Sequence, residues 1–262
     1  MISNTNDPAV KAVKRLAERS RRDDAGVFLV EGPQAVRELL DHNPNSVVDV
    51  FYTEAFAAKF GAIVAAAERS PATVDLVSDK VLEAMADTVT PQGVLAVAQL
   101  IQKSLTDIGD ANLVAICHEV RDPGNAGAII RAADAAGADA VILTGASVDL
   151  HNPKLVRAST GSIFHLTIVE HDDLADVVEF LTDRGVQIFA ASAEGTSIPE
   201  MRTQLAKPTA WLFGNEAHGL DEDARAFADA TVSVPIFGKA ESLNLATAAS
   251  VCLYASAFEQ RA

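Results

Sequence analysis

From Leu113 to Val120 the chain reads LVAICHEV, an apolar run broken only near its end. A strand with one wet face alternates apolar and polar residues, whereas a strand covered on both faces is apolar almost throughout. Such a run calls for helices on both sides of its sheet, which crossovers between parallel strands supply. The pattern then recurs. ADAVILTG at 138–145, VQIFAAS at 186–192, TAWLFG at 209–214 and ATVSVPI at 230–236 read as strands. PGNAGAIIRAADAAG at 123–137 and DLADVVEFLTDRG at 173–185 read as helices between them. A last helix is expected from near Ser242 toward Glu259. Residues 111–262 are thus expected to form an α/β domain on a parallel sheet.

The preceding part alternates on a smaller scale. Strands are expected at GVFLV (26–30), VVDVFY (47–52), ATVDLV (72–77) and GVLAVAQL (93–100), with helices at 31–42, 54–70 and from Ser78. Residues 7–22 read as one basic helix, with Val10, Val13, Leu16 and Ala17 at helical spacing and Asp7-Pro8 opening it. The polar stretch KSLTDIGDAN at 103–112 reads as a linker. The expected organisation is a small α/β domain over 1–102 and a parallel-sheet domain over 111–262.

The formal net charge is −15. That opposes general nucleic-acid binding, since phosphate contacts supply most non-specific affinity. Net charge does not exclude one basic patch, however. Lys11, Lys14, Arg15, Arg19, Arg21 and Arg22 fall within a dozen residues. The two cysteines, Cys117 and Cys252, lie far apart in apolar stretches, which suggests a reducing compartment and no disulfide. No signal-like segment, membrane-length apolar run or metal-ligand spacing stands out. A cytoplasmic protein without membrane or metal partners is the expectation.

Three segments carry more polar and glycine residues than packing requires. DPGNAGAIIRAADAAGAD follows the first strand of the second domain, and a helix N-terminus there could hold an anion. A plain strand-to-helix turn with a surface arginine, Arg131, explains it as well. WLFGNEAHGLDED at 211–223 runs a strand into a glycine loop, with Asp221 suited to cap the next helix. GNEAHG is not G-x-G-x-x-G and no G-K-[ST] follows, so neither a dinucleotide fingerprint nor a Walker loop is present. VPIFGKAESLNLATAAS at 234–250 opens the last helix, where Ser242 is a candidate N-cap. That helix is rich in small residues, among them Ala246, Ala248, Ala249 and Ala255.

Taken in order, the three segments resemble the three motifs of SpoU-type (TrmH-like) RNA 2′-O-methyltransferases. The first carries Asn125, Gly127, Arg131 and Ala133. The second carries Gly214, Asn215, Glu216, Gly219 and Leu220. The third carries Val234, Pro235, Gly238, Ser242, Leu243 and Asn244. FLVEG at 28–32 and TPQGVLAV at 90–97 are similar to the family's ribosomal-protein-like substrate-binding domain. The resemblance implies a knotted catalytic domain of the SPOUT type, S-adenosylmethionine as cofactor, a homodimer, and structured RNA as substrate. It implies a polar reaction site of Asn125, Arg131, Glu216, Ser242 and Asn244. It also implies a cofactor pocket of Gly214, Val234, Ile236 and Leu243, bordered by Thr144 and Gly145. The N-terminal domain favours 23S rRNA over tRNA. A non-catalytic RNA-binding protein that kept the fold is the remaining alternative, and intact motif residues argue against it. The motif arginine is the family's suggested general base, but a guanidinium rarely gives up its proton. Arg131 is better suited to stabilise a developing alkoxide or to grip a phosphate.

Overall fold

A computed structural model describes all 262 residues. The chain divides into two compact units, one of residues 1–101 with 151–165, the other of 102–150 with 166–262. No helix is long and apolar enough to cross a membrane.

The first unit runs α1 (Pro8–Arg15), α2 (Arg19–Ala25), β1 (Val27–Glu31), α3 (Pro33–His42), β2 (Val47–Tyr52), α4 (Glu54–Arg69), β3 (Thr73–Leu76), α5 (Asp79–Met85) and β4 (Val94–Gln99). Its sheet has the order β1-β4-β2-β3, antiparallel except for β2 with β3. Val10, Val13 and Leu16 of the first helical segment meet Val81, Leu82 and Met85 over Leu29, Phe51, Leu95 and Val97.

The basic segment is two helices rather than the one expected. Arg22 turns back and its Nη1 donates to the carbonyls of Leu16 at 2.7 Å and Ala17 at 3.0 Å. Carbonyls at a helix end lack intrahelical partners, and this capping ends α1 and buries Arg22. Lys11 and Lys14 of α1 and Lys80 of α5 line a groove of about 550 Å³ in which Glu83 is the acidic residue. The ion pairs nearby belong to α2: Arg19 with Asp23, and Arg21 with Glu18 and Asp24.

The second unit runs β5 (Leu113–His118), α6 (Pro123–Ala136) and β6 (Ala140–Thr144). After the excursion at 151–165 it continues with β7 (Thr167–His171), α8 (Leu174–Thr182), β8 (Gln187–Ser197), α9 (Arg202–Leu205), β9 (Thr209–Phe213), α10 (Glu222–Ala226), β10 (Ala230–Ser233) and α11 (Leu245–Gln260). The six strands are parallel throughout, in the order β10-β8-β9-β5-β6-β7. One face of the sheet is sealed by α8 through Val177, Val178 and Leu181 against Ile116, Ile142 and Leu212. The other is covered by α6 and α11, which also pack on each other. The Trp211 indole N–H donates to Ser256 Oγ at 2.9 Å, tying β9 to α11 inside the core.

Three expectations need correction. Residues 151–165 pack with the first unit although the sequence places them in the second domain. On the short helix Pro153–Ala158, Arg157 Nη1 lies 2.9 Å from Glu31 and 2.8 Å from Asp87, so it compensates a buried Glu31 carboxylate. The stretch at 103–112 is not a free linker, because Ile108 and Ala111 are buried in the second core. The last helix begins at Leu245 rather than near Ser242, since Asn244 takes the cap.

Candidate active site

Each of the three segments leaves the carboxyl end of a parallel strand: β5, β9 or β10. Open parallel sheets bind ligands at that edge. At the first segment Asp122 caps α6, its Oδ1 accepting the Asn125 N–H at 2.8 Å. Glu216 reaches this helix end from the second segment. Its Oε1 accepts from the Asp122 N–H at 3.0 Å and from Asn125 Nδ2 at 3.3 Å. Its Oε2 accepts from the Arg121 N–H at 3.3 Å. A carboxylate is favoured where helix N–H groups lack intrahelical partners. The third segment joins through Asn244, whose Nδ2 donates to Asn125 Oδ1 at 3.0 Å. Asn244 Oδ1 meanwhile accepts from the N–H groups of Ala246 at 2.9 Å and Thr247 at 3.3 Å. One chain of side-chain hydrogen bonds, Asn244–Asn125–Glu216, therefore links all three segments.

The second segment closes on itself. Asn215 and Gly219 exchange both backbone bonds, at 3.0 and 2.8 Å. Asn215 Oδ1 accepts from the Ala217 N–H at 2.9 Å, and its Nδ2 donates to the Glu119 carbonyl at 3.0 Å. Gly214 is required by this loop: a Cβ there would stand 2.5 Å from the Gly219 carbonyl carbon. Glu119 itself sits at φ +54°, a left-handed conformation that costs a non-glycine residue ~1–3 kcal/mol. Beneath the loop, burial first and then the Glu216 charge push the Cys117 thiol up to about 12.

A cleft of about 440 Å³ opens beside this chain. Phe213, Leu220, Val232, Val234, Ile236 and Leu243 give it apolar walls, and Glu216, His218, Arg225 and Ser242 give it polar ones. Ligand pockets commonly combine an apolar lining with a few fixed polar groups, at ~300–1,000 Å³. Of the residues expected around a cofactor, Val234, Ile236 and Leu243 line the cleft, and Gly214 lies between two lining residues. Thr144 and Gly145 lie outside it. The Thr144 carbonyl accepts from the Glu119 N–H after β5, while the Gly145 N–H and Thr144 Oγ1 donate to the Asp172 carbonyl after β7.

Of the five polar residues expected at the reaction site, Asn125, Glu216 and Asn244 are joined directly, and Ser242 stands in the cleft wall. Arg131 is exposed two turns along α6, outside that hydrogen-bonded chain. Glu216 holds the start of α6 and not Arg131. The sequence reading passed over Asn215 as a loop-closing residue and the Ala191–Ala193 stretch of β8 as part of the cleft. The rule that ligands sit at strand carboxyl ends was the available signal for the latter.

The SpoU rRNA Methylase family model matches residues 112–254, and an MRM3-like substrate binding domain matches residues 7–96. A 23S rRNA (guanosine(2553)-2′-O)-methyltransferase of Bacillus subtilis (strain 168) is 31% identical over 259 residues, covering 97% of each chain. A 23S rRNA (uridine(2479)-2′-O)-methyltransferase of Streptomyces viridochromogenes is 31% identical, covering 91% of this chain and 85% of its own. The crystal structure of an AdoMet-bound rRNA methyltransferase from Sinorhizobium meliloti superposes with a TM-score of 0.84 at 30% identity, covering 97% of this chain and 96% of that one.

Proposed function

The chain belongs to the SpoU rRNA methylase family, and on that premise we propose that it methylates a ribose 2′-hydroxyl of 23S rRNA. The observation that carries the reading is the Asn244–Asn125–Glu216 chain, which brings the three motif segments to one cleft. S-adenosylmethionine, when bound, supplies a methyl group on a sulfonium, so the leaving group is a neutral thioether.

The residues of this chain supply placement. Val234, Ile236 and Leu243 would hold the cofactor through their apolar surface and the adjoining backbone. Asn244, Asn125 and Glu216 keep the three loops in one arrangement before substrate arrives. Well-oriented reactants gain ~7–11 kcal/mol of effective concentration advantage. Ser242, in the cleft wall, would hydrogen-bond ribose or cofactor. Arg131 would bind the phosphate next to the target ribose or stabilise the developing alkoxide; its fixed positive charge suits either. The Lys11, Lys14 and Lys80 groove is the RNA contact of the first unit on this reading.

Calorimetry with S-adenosylhomocysteine, followed by ribose-methylation mapping of 23S rRNA incubated with enzyme and cofactor, tests the proposal. One bound equivalent and one new 2′-O-methyl position are expected; cofactor binding without any rRNA methylation would refute it.

The same reading includes a homodimer, a knot formed through the loops after β9 and β10, and action in the cytoplasm. Support for the dimer comes from α11, where Val251, Tyr254 and Phe258 are exposed at helical spacing on a mostly apolar helix. A monomer mass by sedimentation at micromolar concentration would remove the dimer.

A further inference from the structure

Glu38 and His42 lie one turn apart on α3 and so share a face. His165 follows the short turn Ser162–Phe164 of the 151–165 segment, in the same unit. Glu38 Oε2 is 3.2 Å from His165 Nε2 and 3.6 Å from His42 Nε2. The two imidazole centroids are 4.3 Å apart. One ligand atom from each of the three residues falls within 4.8 Å of the other two. From this convergence we infer that Glu38, His42 and His165 form a binding site for a divalent transition-metal ion of the zinc type.

The geometry fits. A tetrahedral zinc with bonds of ~2.0–2.1 Å to nitrogen and oxygen sets its ligands roughly 3.3 Å apart. Two of the three spacings are already 3.2 and 3.6 Å. Both histidines are exposed, so a fourth position opens to water. Imidazole and carboxylate together suit this class of ion.

The carboxylate is preset by its neighbours. Glu38 Oε1 accepts from Gln34 Nε2 at 2.6 Å and from Arg37 Nη2 at 3.0 Å. That leaves Oε2 turned to the histidines. Gly161, at φ +101°, presses its backbone on the same side chain; a Cβ there would stand 2.7 Å from Glu38 Cβ. Burial works against the Glu38 charge, but bonds from Arg37 and His165 outweigh it and hold the carboxyl below its usual range. Outer partners that fix a ligand in this way typically change metal affinity ~10–100-fold. The Arg37 charge opposes a cation, but that side chain is 49% exposed and its field is screened.

A simple hydrogen bond between His165 and Glu38, with His42 beside it, is the competing account. It sets both imidazole Nε2 atoms against the one oxygen, Glu38 Oε2. A single dication satisfies all three groups. Its binding would tie residues 161–165 to α3 and stabilise the first unit, because a ligand that binds only the folded state raises its stability.

The test uses untagged full-length protein, stripped with chelator and titrated with Co²⁺ and then Zn²⁺. We expect one equivalent of Co²⁺ with the intense visible bands of a tetrahedral site, displaced by Zn²⁺, and a Zn²⁺-dependent rise in melting temperature. His42→Ala, His165→Ala and Glu38→Gln should each weaken binding about 100-fold or more, and Gln34→Ala about tenfold. His171→Ala, at a remote His–Asp pair, should leave it unchanged. Wild-type protein with no tetrahedral Co²⁺ spectrum overturns the site, whether or not the variants fold. Unchanged affinity in both histidine variants overturns it equally. Methyl transfer is a separate readout, and its presence or absence bears on neither result.

Discussion

Asn125, Glu216 and Asn244 hold one another across three loops, while Ser242 stands exposed in the cleft wall and Arg131 on the surface of α6, both outside that chain. The first unit shows the same division in its basic residues. Arg19, Arg21 and Arg22 are bound to acids or carbonyls of their own segment, whereas Lys11, Lys14 and Lys80 face an open groove. Polar groups with partners inside the chain build the shape of a site. Polar groups without them are left for the substrate. If that division is right, removing a group of the first kind costs stability or loop order, and removing one of the second kind costs only function.

The largest separation is expected at Arg131. Arg131→Ala should lower single-turnover methylation by about 10²–10³, the size seen when one preorganised donor to a developing oxyanion is lost. S-adenosylhomocysteine affinity and melting temperature should hardly move, because Arg131 lies outside the cleft and on the surface of α6. Arg131→Lys should be nearly as poor at every pH if the planar fork is what matters. Activity retained by the Lys form with a shifted pH profile would restore the general-base role. Near-normal turnover in the Ala form would return Arg131 to an ordinary surface residue.

Trp211→Phe examines the opposite kind of group. The indole N–H and Ser256 Oγ are both fully buried and 2.9 Å apart. The Phe form leaves the serine hydroxyl without this partner, which costs ~1–3 kcal/mol. Denaturant titration should show the loss, with turnover per folded molecule unchanged. Reduced turnover at unchanged stability would mean that α11 transmits more to the cleft than its packing suggests.

Legibility followed the range of the interaction. Five of the six parallel strands were readable because a sheet covered on both faces leaves an apolar trace in its strands, whereas the edge strand β7, TIVEH, was not named from the sequence. Asp221 was readable as a cap because capping is local, and its Oδ1 does accept the Ala224 N–H at 2.8 Å. Ser242 was an equally good local candidate, yet Asn244 caps α11, since it also reaches Asn125, 119 residues away. No local pattern announces such a partner. The excursion at 151–165 hid for the same reason: Arg157 is anchored by Glu31, 126 positions earlier. Likewise Glu38 and His42, one turn apart, supply only two ligands, and the third, His165, lies 127 positions from Glu38.

The smallest effect concerns the two basic surfaces. Residues 18–24 contain three arginines and three acids, Glu18, Asp23 and Asp24, so their charges sum to zero. Exposed ion pairs of this kind are weak, at ~0–1 kcal/mol. An approaching phosphate could therefore displace Asp23 from Arg19, but it would meet the acid's repulsion in exchange. The lysine groove differs, with three cations against Glu83. Each phosphate contact changes log K against log salt by ~0.7–0.9. Replacing Lys11, Lys14 and Lys80 by Gln should thus flatten the slope of RNA binding by about 2. Replacing Arg19 and Arg21 by Ala should change it by less than about 0.5, since charge near the helix sets the number of counterions released. Arg22 is excluded from this pair of variants because its loss would unfold the α1–α2 junction. Filter binding across a salt series decides the matter. A large change in the arginine form with none in the lysine form would reverse the assignment. RNA would then meet α2, and partners inside the chain would no longer mark a basic group as structural.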